Sequence, residues 1–379
     1  MRPAFKKAER TKVEPAEPVR RVLIYRLGSL GDTVVALPSL HLLARRFPLA
    51  ERRLLTNYPV HAKAPAAAAV LGDSGLVHGY LRYSVGTRNP WEFLRLARAI
   101  RRFAPDLLVY LMPLRSLQNV RRDARFFRWA CGVRQIAGLP GPDELHHRYD
   151  AVSDLYESEA ARLARSLAAL GDAQADGLSQ WDLLLSETER QSAAQALLPL
   201  AGRSFLVCGP GTKMQAKDWG QENWRALLEK LHRRYPQYAL ALVGAREDRA
   251  VGEWVAQGWN APSLNLCGEL TPRQTAAVIA QAAVFLGPDS GPMHLAASVG
   301  TPSVIAFSAR GYPGIWFPAG QQHQVFYHRT ECRGCNLETC TEQDRRCLKA
   351  ISVEAMAAAA ERVLGAPEEG FPEKGREAR

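Results

Sequence analysis

The amino-acid sequence predicts an α/β protein of two domains, each built on a parallel sheet with helices on both faces. Short apolar runs of strand length alternate with stretches of helical periodicity along both halves, a pattern typical of this fold class. Each half begins with a strand that leads into a glycine-containing loop, and 379 residues suffice for two domains of ordinary size. We therefore expect two domains facing each other across a cleft, which is a common place for a binding site.

The formal net charge of +11 lies in the first half of the chain. Residues 1–180 contain 28 Lys+Arg and 17 Asp+Glu, whereas residues 181–379 contain 21 of each. A basic first half indicates an anionic partner, and nucleic acid, an anionic membrane surface and an acidic glycolipid all qualify. Residues 1–20 are charged and lack an apolar signal-peptide core, so we expect a disordered basic tail on a cytoplasmic protein.

The first predicted domain comprises residues 21–180 and ends near a linker rich in Gly, Asp and Ala. Apolar runs predict its strands at 21–25, 54–56 and 105–111. Helical spacing predicts helices at 33–47, 65–71 and 91–103.

The turn at residues 28–32 joins the first strand to its helix. Its two glycines permit a tight turn and the close approach of another molecule, and it matches neither the dinucleotide fingerprint nor a Walker P-loop. Asp32 stands where the helix begins. A carboxylate there either caps the helix or deprotonates a hydroxyl, and the turn alone leaves both roles open.

Residues 117–134 contain five arginines interleaved with aromatic residues. Arg121, Arg125 and Arg128 fall on one face of a predicted helix, where they are able to clamp an anionic acceptor. A solvated basic face and a nucleic-acid-binding surface have the same pattern, so three interpretations stay open.

The second predicted domain comprises residues 181–379, and its last helix is able to pack back on the first domain. Its predicted strands are 204–208, 238–243, 283–286 and 303–307. Its predicted helices are 221–235, 248–257, 271–282 and 293–299.

Two loops of the second half contain residues suited to a nucleotide. Thr212, Lys213 and Lys217 follow the first strand of this half and are able to hold phosphate oxygens, although a solvated loop with ordinary lysines has the same composition. Glu247 or Asp248 follows the next strand, where a carboxylate either accepts hydrogen bonds from ribose hydroxyls or merely begins a helix.

The stretch 283–307 predicts a strand, a tight loop, a helix and a second strand. Ligands bind such units at the carboxyl ends of the strands, and a helix start with a glycine attracts phosphate. Asp289, Ser290 and Gly291 stand at this helix start, and His294 falls about one turn further on. The alternative is that the first two residues only cap the helix and that His294 packs in the core.

Four of the seven cysteines form a compact set, and in a reducing compartment such a set favours a tetrahedral zinc site over disulfides. Such a site would be structural and non-catalytic, with Cys332, Cys335, Cys340 and Cys347 as its ligands. The spacing is not that of two C-x2-C pairs, so the alternative that the four cysteines bind no metal stays open.

Three segments together resemble glycosyltransferase family nine, the bacterial heptosyltransferases. Residues 21–40, RVLIYRLGSLGDTVVALPSL, resemble the family's opening, and residues 289–302, DSGPMHLAASVGTP, resemble its nucleotide-binding motif. Gly209-Pro-Gly with Lys217 and Trp219 resembles a third element. The matches keep the family's order and span nearly the whole chain.

The resemblance implies a GT-B fold of two Rossmann-like domains, with the acceptor on the first and a nucleotide sugar on the second. It implies that Asp32 is the catalytic base and that the donor diphosphate is surrounded by Lys217, Asp289, Ser290, Gly291 and His294. We extend the donor site to Thr212, Lys213 and Glu247. We assign the acceptor site to Ser29, Gly31, Arg121, Arg122 and Arg125.

Family nine inverts the anomeric centre without a metal, and its usual donor and acceptor are ADP-heptose and the lipopolysaccharide inner core. We therefore predict an inverting heptosyltransferase that uses no cofactor in catalysis and acts on an anionic glycolipid. It is expected to be a peripheral protein at the inner face of the inner membrane, in contact with the anionic membrane surface, and to bind no nucleic acid. The alternatives are transfer of another nucleotide-linked sugar and a basic nucleic-acid-binding protein, the latter favoured by the sequence pI of about 9.5.

Overall fold

A computed structural model describes residues 18–58 and 66–365, so most of the predicted tail lies outside the described residues. The chain forms two compact units. The first contains the described residues up to Glu189 together with Tyr312–Gly320, and the second contains Arg190–Gly311 and the described residues from Gln321 onward.

The first unit is built on a five-stranded parallel sheet with the order β3-β2-β1-β4-β5. Its elements are β1 Arg21–Tyr25, α1 Leu30–Val34, α2 Leu37–Arg46, β2 Glu51–Asn57, α3 Ala67–Leu71, β3 Gly79–Tyr83, α4 Pro90–Phe103, β4 Leu107–Tyr110, α5 Leu117–Arg125, β5 Gln135–Ala137, β6 Tyr149–Asp150, β7 Leu155–Tyr156 and α6 Glu159–Ser166. A short π-helix, Phe126–Ala130, continues α5.

The second unit is built on a six-stranded parallel sheet with the order β10-β9-β8-β11-β12-β13. Its elements, including a helix that crosses the boundary, are α7 Glu187–Leu197, β8 Phe205–Cys208, α8 Gln221–Arg234, β9 Ala239–Leu242, α9 Arg249–Ala256, β10 Ser263–Asn265, α10 Pro272–Ile279, β11 Phe285–Pro288, α11 Gly291–Ser298, β12 Ser303–Phe307, β13 Gln324–Tyr327, α12 Arg346–Lys349 and α13 Val353–Leu364. The last helix, α13, lies in the core of this unit and packs against α8.

Both sheets have the strand order of a Rossmann fold, and the order reverses beside the first strand of each. In the first unit this switch lies between β1 and β4, and in the second it lies between β8 and β11. Ligands of open parallel sheets bind outside the carboxyl ends of the strands at such a point. The loops that follow these four strands are therefore where the functional residues are expected.

The helix predicted at 33–47 is wrong in its bounds, because the structure divides this segment into α1 and α2. Pro38 occupies the first turn of α2. Proline has no backbone N–H and disfavours a helical conformation in the residue before it, so a helix cannot run through this position unbroken. The break allows α1 to begin three residues earlier than predicted, directly after the glycine-containing turn.

Candidate active site

The loop after β1 holds Asp32 in a defined position at the start of α1. The backbone N–H and the hydroxyl of Ser29 both donate to Asp32 Oδ2, at 2.8 and 3.1 Å. Gly28 has a φ of +146°, and a Cβ atom there would lie 2.2 Å from Asp32 Cβ. The Asp32 side chain is still 24% exposed. The carboxylate therefore does stabilise the helix start, and it is also held where a substrate hydroxyl is able to reach it.

A buried arginine connects this loop to α6. Arg26 donates to the backbone oxygen of Asp32 and lies 3.7 Å from its carboxylate, and it pairs with Glu159 at 3.2 Å. Glu159 also accepts from Arg162 at 2.7 Å. Burial alone would raise the pKa of Glu159, but the charges of Arg162 and Arg26 outweigh it and hold the pKa below its usual range. Nothing in the sequence pattern identified this network.

The predicted acceptor arginines lie on two different sides of α5. Arg121 and Arg125 line one shallow groove together with Arg128 and the exposed Trp129, as the shared helical face predicts. Arg122 instead lines a cavity on the other side and donates to Asp123 at 3.1 Å. The three arginines therefore do not form one clamp.

The cavity beside Arg122 is lined largely by aromatic side chains and has a volume of about 290 Å³. The hydroxyls of Tyr25 and Tyr83 are 2.9 Å apart at its wall, and Arg115 pairs with Asp123 at 2.6 Å. Burial raises the pKa of Tyr25, so its hydroxyl stays protonated and available for hydrogen bonding. Leu27, next to the Asp32 loop, also lines this cavity. The sequence did not predict this cavity, because its lining residues come from three strands, two α-helices, the π-helix and the loops between them.

In the second unit, the loops after β8 and β11 meet through an ion pair. Lys217 Nζ lies 2.9 Å from Asp289 Oδ2, with 19% of the lysine side chain and 8% of the aspartate side chain exposed. The two strands are neighbours in the sheet, so the contact lies at the switch point. The structure thus brings together two of the residues that the resemblance assigns to the donor.

The start of α11 presents an unpaired polar atom. Ser290 is the N-cap of the helix, and its hydroxyl oxygen is buried without a hydrogen-bond partner among the described residues. Buried polar atoms are normally satisfied, so this hydroxyl is suited to a ligand. Gly291 begins the helix. His294, one turn later, is buried, which agrees with the alternative interpretation that it packs in the core.

The other predicted donor residues occupy the surrounding loops. The Thr212 hydroxyl accepts from the backbone of Met214 at 3.4 Å, and Lys213 is exposed on the same loop. Glu247 is exposed, whereas the carboxylate of Asp248 accepts from the Ala245 N–H at 2.8 Å and caps its own turn.

The structure does not support the predicted zinc site. Cys332, Cys335, Cys340 and Cys347 line one small pocket as free thiols. Across residues 18–58 and 66–365, no group of three or more His, Cys, Asp or Glu residues is arranged to hold a metal ion. The backbone N–H of Arg345 donates to Cys340 Sγ at 3.4 Å. The compact spacing in sequence did not translate into tetrahedral geometry.

Comparisons with known sequences agree with the resemblance to glycosyltransferase family nine. Residues 153–345 match the family model of glycosyltransferase family 9 (heptosyltransferase). Lipopolysaccharide heptosyltransferase 1 of Pseudomonas aeruginosa is 25% identical, over 92% of this chain and 99% of that protein. Lipopolysaccharide heptosyltransferase 3 of Escherichia coli is 31% identical over 31% of this chain, and that match spans 34% of the relative.

Solved structures show the fold. A glycosyl transferase of family 9 from Veillonella parvula superimposes with a TM-score of 0.69 at 18% identity, covering 91% of this chain and 97% of that one. The E. coli heptosyltransferase WaaC, solved with ADP, gives 0.60 at 16% identity, covering 90% and 99%. The fold is therefore GT-B, with two Rossmann-like domains. Because the family model matches just over half of the chain, the protein belongs to glycosyltransferase family 9 and is a glycosyltransferase.

Proposed function

We propose that this protein transfers heptose from ADP-heptose to the lipopolysaccharide core or a related anionic glycolipid, with inversion at the anomeric carbon. The observation that carries the proposal is the meeting of Lys217 with Asp289 beside the unpaired hydroxyl of Ser290. A cation, a free hydroxyl and a helix start at one switch point are the groups that bind a diphosphate.

The donor half of the proposal rests on charge. When a sugar leaves a nucleotide diphosphate, negative charge builds on the leaving phosphate, and a nearby cation stabilises it. Lys217 is partly exposed and already oriented by Asp289. A bound phosphate can pair with Lys217 either together with Asp289 or in its place. The Ser290 hydroxyl is free to donate a hydrogen bond to a second phosphate oxygen.

The acceptor half rests on Asp32. A hydroxyl is a poor nucleophile at neutral pH, so a carboxylate within hydrogen-bond reach is the simplest base. Asp289 is the competing carboxylate, but it is already engaged by Lys217, the lysine that we assign to the diphosphate, so it lies on the phosphate side of the reaction. Asp32 lies in the first unit, on the loop that follows Leu27, and Leu27 lines the aromatic cavity that we assign to the acceptor.

Our proposal for the sugar is based on what the relatives are named for. The P. aeruginosa relative is named a lipopolysaccharide heptosyltransferase, and the E. coli structure is a heptosyltransferase with ADP. We carry the ADP-linked heptose and the lipopolysaccharide acceptor over to this chain on that basis. We further propose a peripheral position at the cytoplasmic face of the inner membrane, because the positive excess lies in the acceptor half. No helix in the described part of the chain has the length and apolar character needed to cross a bilayer.

The test is a donor panel. Purified protein is incubated with ADP-heptose, ADP-glucose, UDP-glucose and GDP-mannose, each with lipopolysaccharide core that lacks heptose, and nucleotide release is followed. We expect acceptor-dependent release from ADP-heptose above all others. Release from another donor alone would identify a family member with a different sugar, and release from none would contradict the proposal.

A further inference from the structure

Helix α4 has an exposed face on which aromatic and aliphatic residues give way to arginines. Trp91 and Leu94 in its first turns are 66% and 38% exposed, although side chains of these types are usually covered. Arg95, Arg98 and Arg102 continue the same face toward the end of the helix and are exposed. The opposite face, which includes Leu96 and Phe103, is buried in the core of the first unit.

Two other exposed aromatic residues lie apart from this face. Phe93 is 40% exposed but shares the side of α4 that carries Leu96 and Ile100, and its ring centroid lies 6.2 Å from that of Phe126 in the π-helix. Trp129 lines the groove with Arg121 and Arg125. We call Trp91 and Leu94 the apolar face.

Positive charge surrounds the apolar face with little to offset it. The sequence of α4 contains four arginines and a single acid, Glu92. The nearest acid on α5, Asp123, is buried and already paired with Arg115 and Arg122. The exposed arginines of α4 and α5 are therefore available to an anionic partner.

We infer that the apolar face and the arginines of α4 dock this protein on a bilayer of anionic lipids, with Trp91 and Leu94 entering the interface. Tryptophan prefers the headgroup boundary, and leucine gains free energy only where it leaves water. Arginine side chains extend their aliphatic stems along such a surface and place their charge at lipid phosphates. Nucleic acid would satisfy the arginines and stack on tryptophan, but it would leave Leu94 in water.

The inference rests on the proposed function and deepens it, because an acceptor that is anchored in the bilayer would be reached by an enzyme that is docked on the same bilayer. Attachment by charge alone would be fully reversed by salt, whereas insertion of two apolar side chains leaves a component that salt does not remove.

The experiment compares binding of the full chain to vesicles of phosphatidylglycerol and phosphatidylcholine with binding to phosphatidylcholine alone, at low and high salt. The double variant Trp91→Ser/Leu94→Ser should bind about tenfold more weakly at both salt concentrations, because its loss is apolar. The double variant Arg95→Gln/Arg98→Gln should bind about 30-fold more weakly at low salt and much less so at high salt. Leu49→Ser/Leu198→Ser, which changes two exposed leucines elsewhere, is the control and should bind like the wild type.

Transfer to a soluble, deacylated acceptor is measured in parallel and should be unchanged in all variants. Wild-type protein that transfers sugar but ignores anionic vesicles would overturn the docking surface and leave the proposed function intact. Vesicle binding that both double variants retain would also overturn it. Duplex DNA binding that the arginine variant loses, without vesicle binding, would assign this surface to nucleic acid instead.

Discussion

Removal of the Lys217 ammonium is the most informative perturbation of the donor site. Lys217→Met keeps the length of the side chain and deletes its charge, which leaves Asp289, with 8% of its side chain exposed, without this cation. Two separate effects follow: a loss of affinity for the diphosphate and a loss of folded-state stability. Because they arise from different partners of the lysine, they can be measured apart.

The affinity effect is set by one charge-assisted hydrogen bond. Such bonds contribute about 1.5–3 kcal/mol, so the dissociation constant for ADP should rise about 10- to 150-fold. The stability effect is the cost of a buried carboxylate without its cation, about 1–3 kcal/mol. Asp289→Asn in the same chain removes that carboxylate, so the double variant should recover stability but not ADP affinity.

Calorimetric titration with ADP and thermal unfolding are the two assays. Lys230→Met, which changes an exposed lysine of the same unit, is the matched control and should alter neither quantity. Unchanged ADP affinity in Lys217→Met would remove this lysine from the donor site. If Lys217→Met and the double variant lose the same amount of stability, the loss in Lys217→Met does not come from an unpaired Asp289.

Three further predictions concern the remaining parts of the site. Gly28→Ala should push the Asp32 carboxylate aside and slow sugar transfer, with ADP affinity unchanged. Gly132→Ala is the control and should not slow transfer, because Gly132 also has a positive φ but an added Cβ atom there has no neighbour within 4 Å. Equal effects of the two variants would contradict a positioning role for Gly28. Ser290→Ala should weaken ADP binding about 2- to 10-fold without loss of stability, and the reverse pattern would make this hydroxyl structural. Glu159→Gln should cost about 3–5 kcal/mol of stability at neutral pH because it removes the buried negative charge that pairs with Arg26 and Arg162. Since the pKa of Glu159 lies below its usual 4.5, the difference from the wild type should narrow in acid, and a difference independent of pH would refute the charge argument.

Much of the fold was predictable because its central strands are continuous apolar runs. The strand predicted at 303–307 is β12 with the same bounds, and the helix predicted at 91–103 is α4 with one further residue. β3 was missed because its sequence, GYLRY, has neither a sustained apolar run nor a strict alternation of apolar and polar residues. It is an edge strand in which none of the five residues is fully buried, so its positions do not require the apolar residues of a central strand.

The site was predictable only where function depends on a local loop. The glycine turn leads into a helix and residues 289–291 precede or begin another, as predicted, although α1 begins three residues and α11 two residues earlier than expected. The ion pairs do not follow from local pattern, because Arg26 and Glu159 are 133 positions apart and meet only once the sheet has formed. The cysteines show the converse, since close spacing along the chain did not bring four sulfurs into a ligand set.

The central claim is that Asp32 acts as the base in sugar transfer, and single-turnover transfer by Asp32→Asn tests it most directly. Asparagine keeps an oxygen that accepts from the Ser29 N–H and hydroxyl, so the helix start survives while the base is lost. At saturating ADP-heptose and acceptor we predict transfer about 10²–10⁴-fold slower, with ADP affinity and the unfolding temperature unchanged. Transfer at the wild-type rate by the folded variant would contradict the account and leave Asp32 as a helix cap.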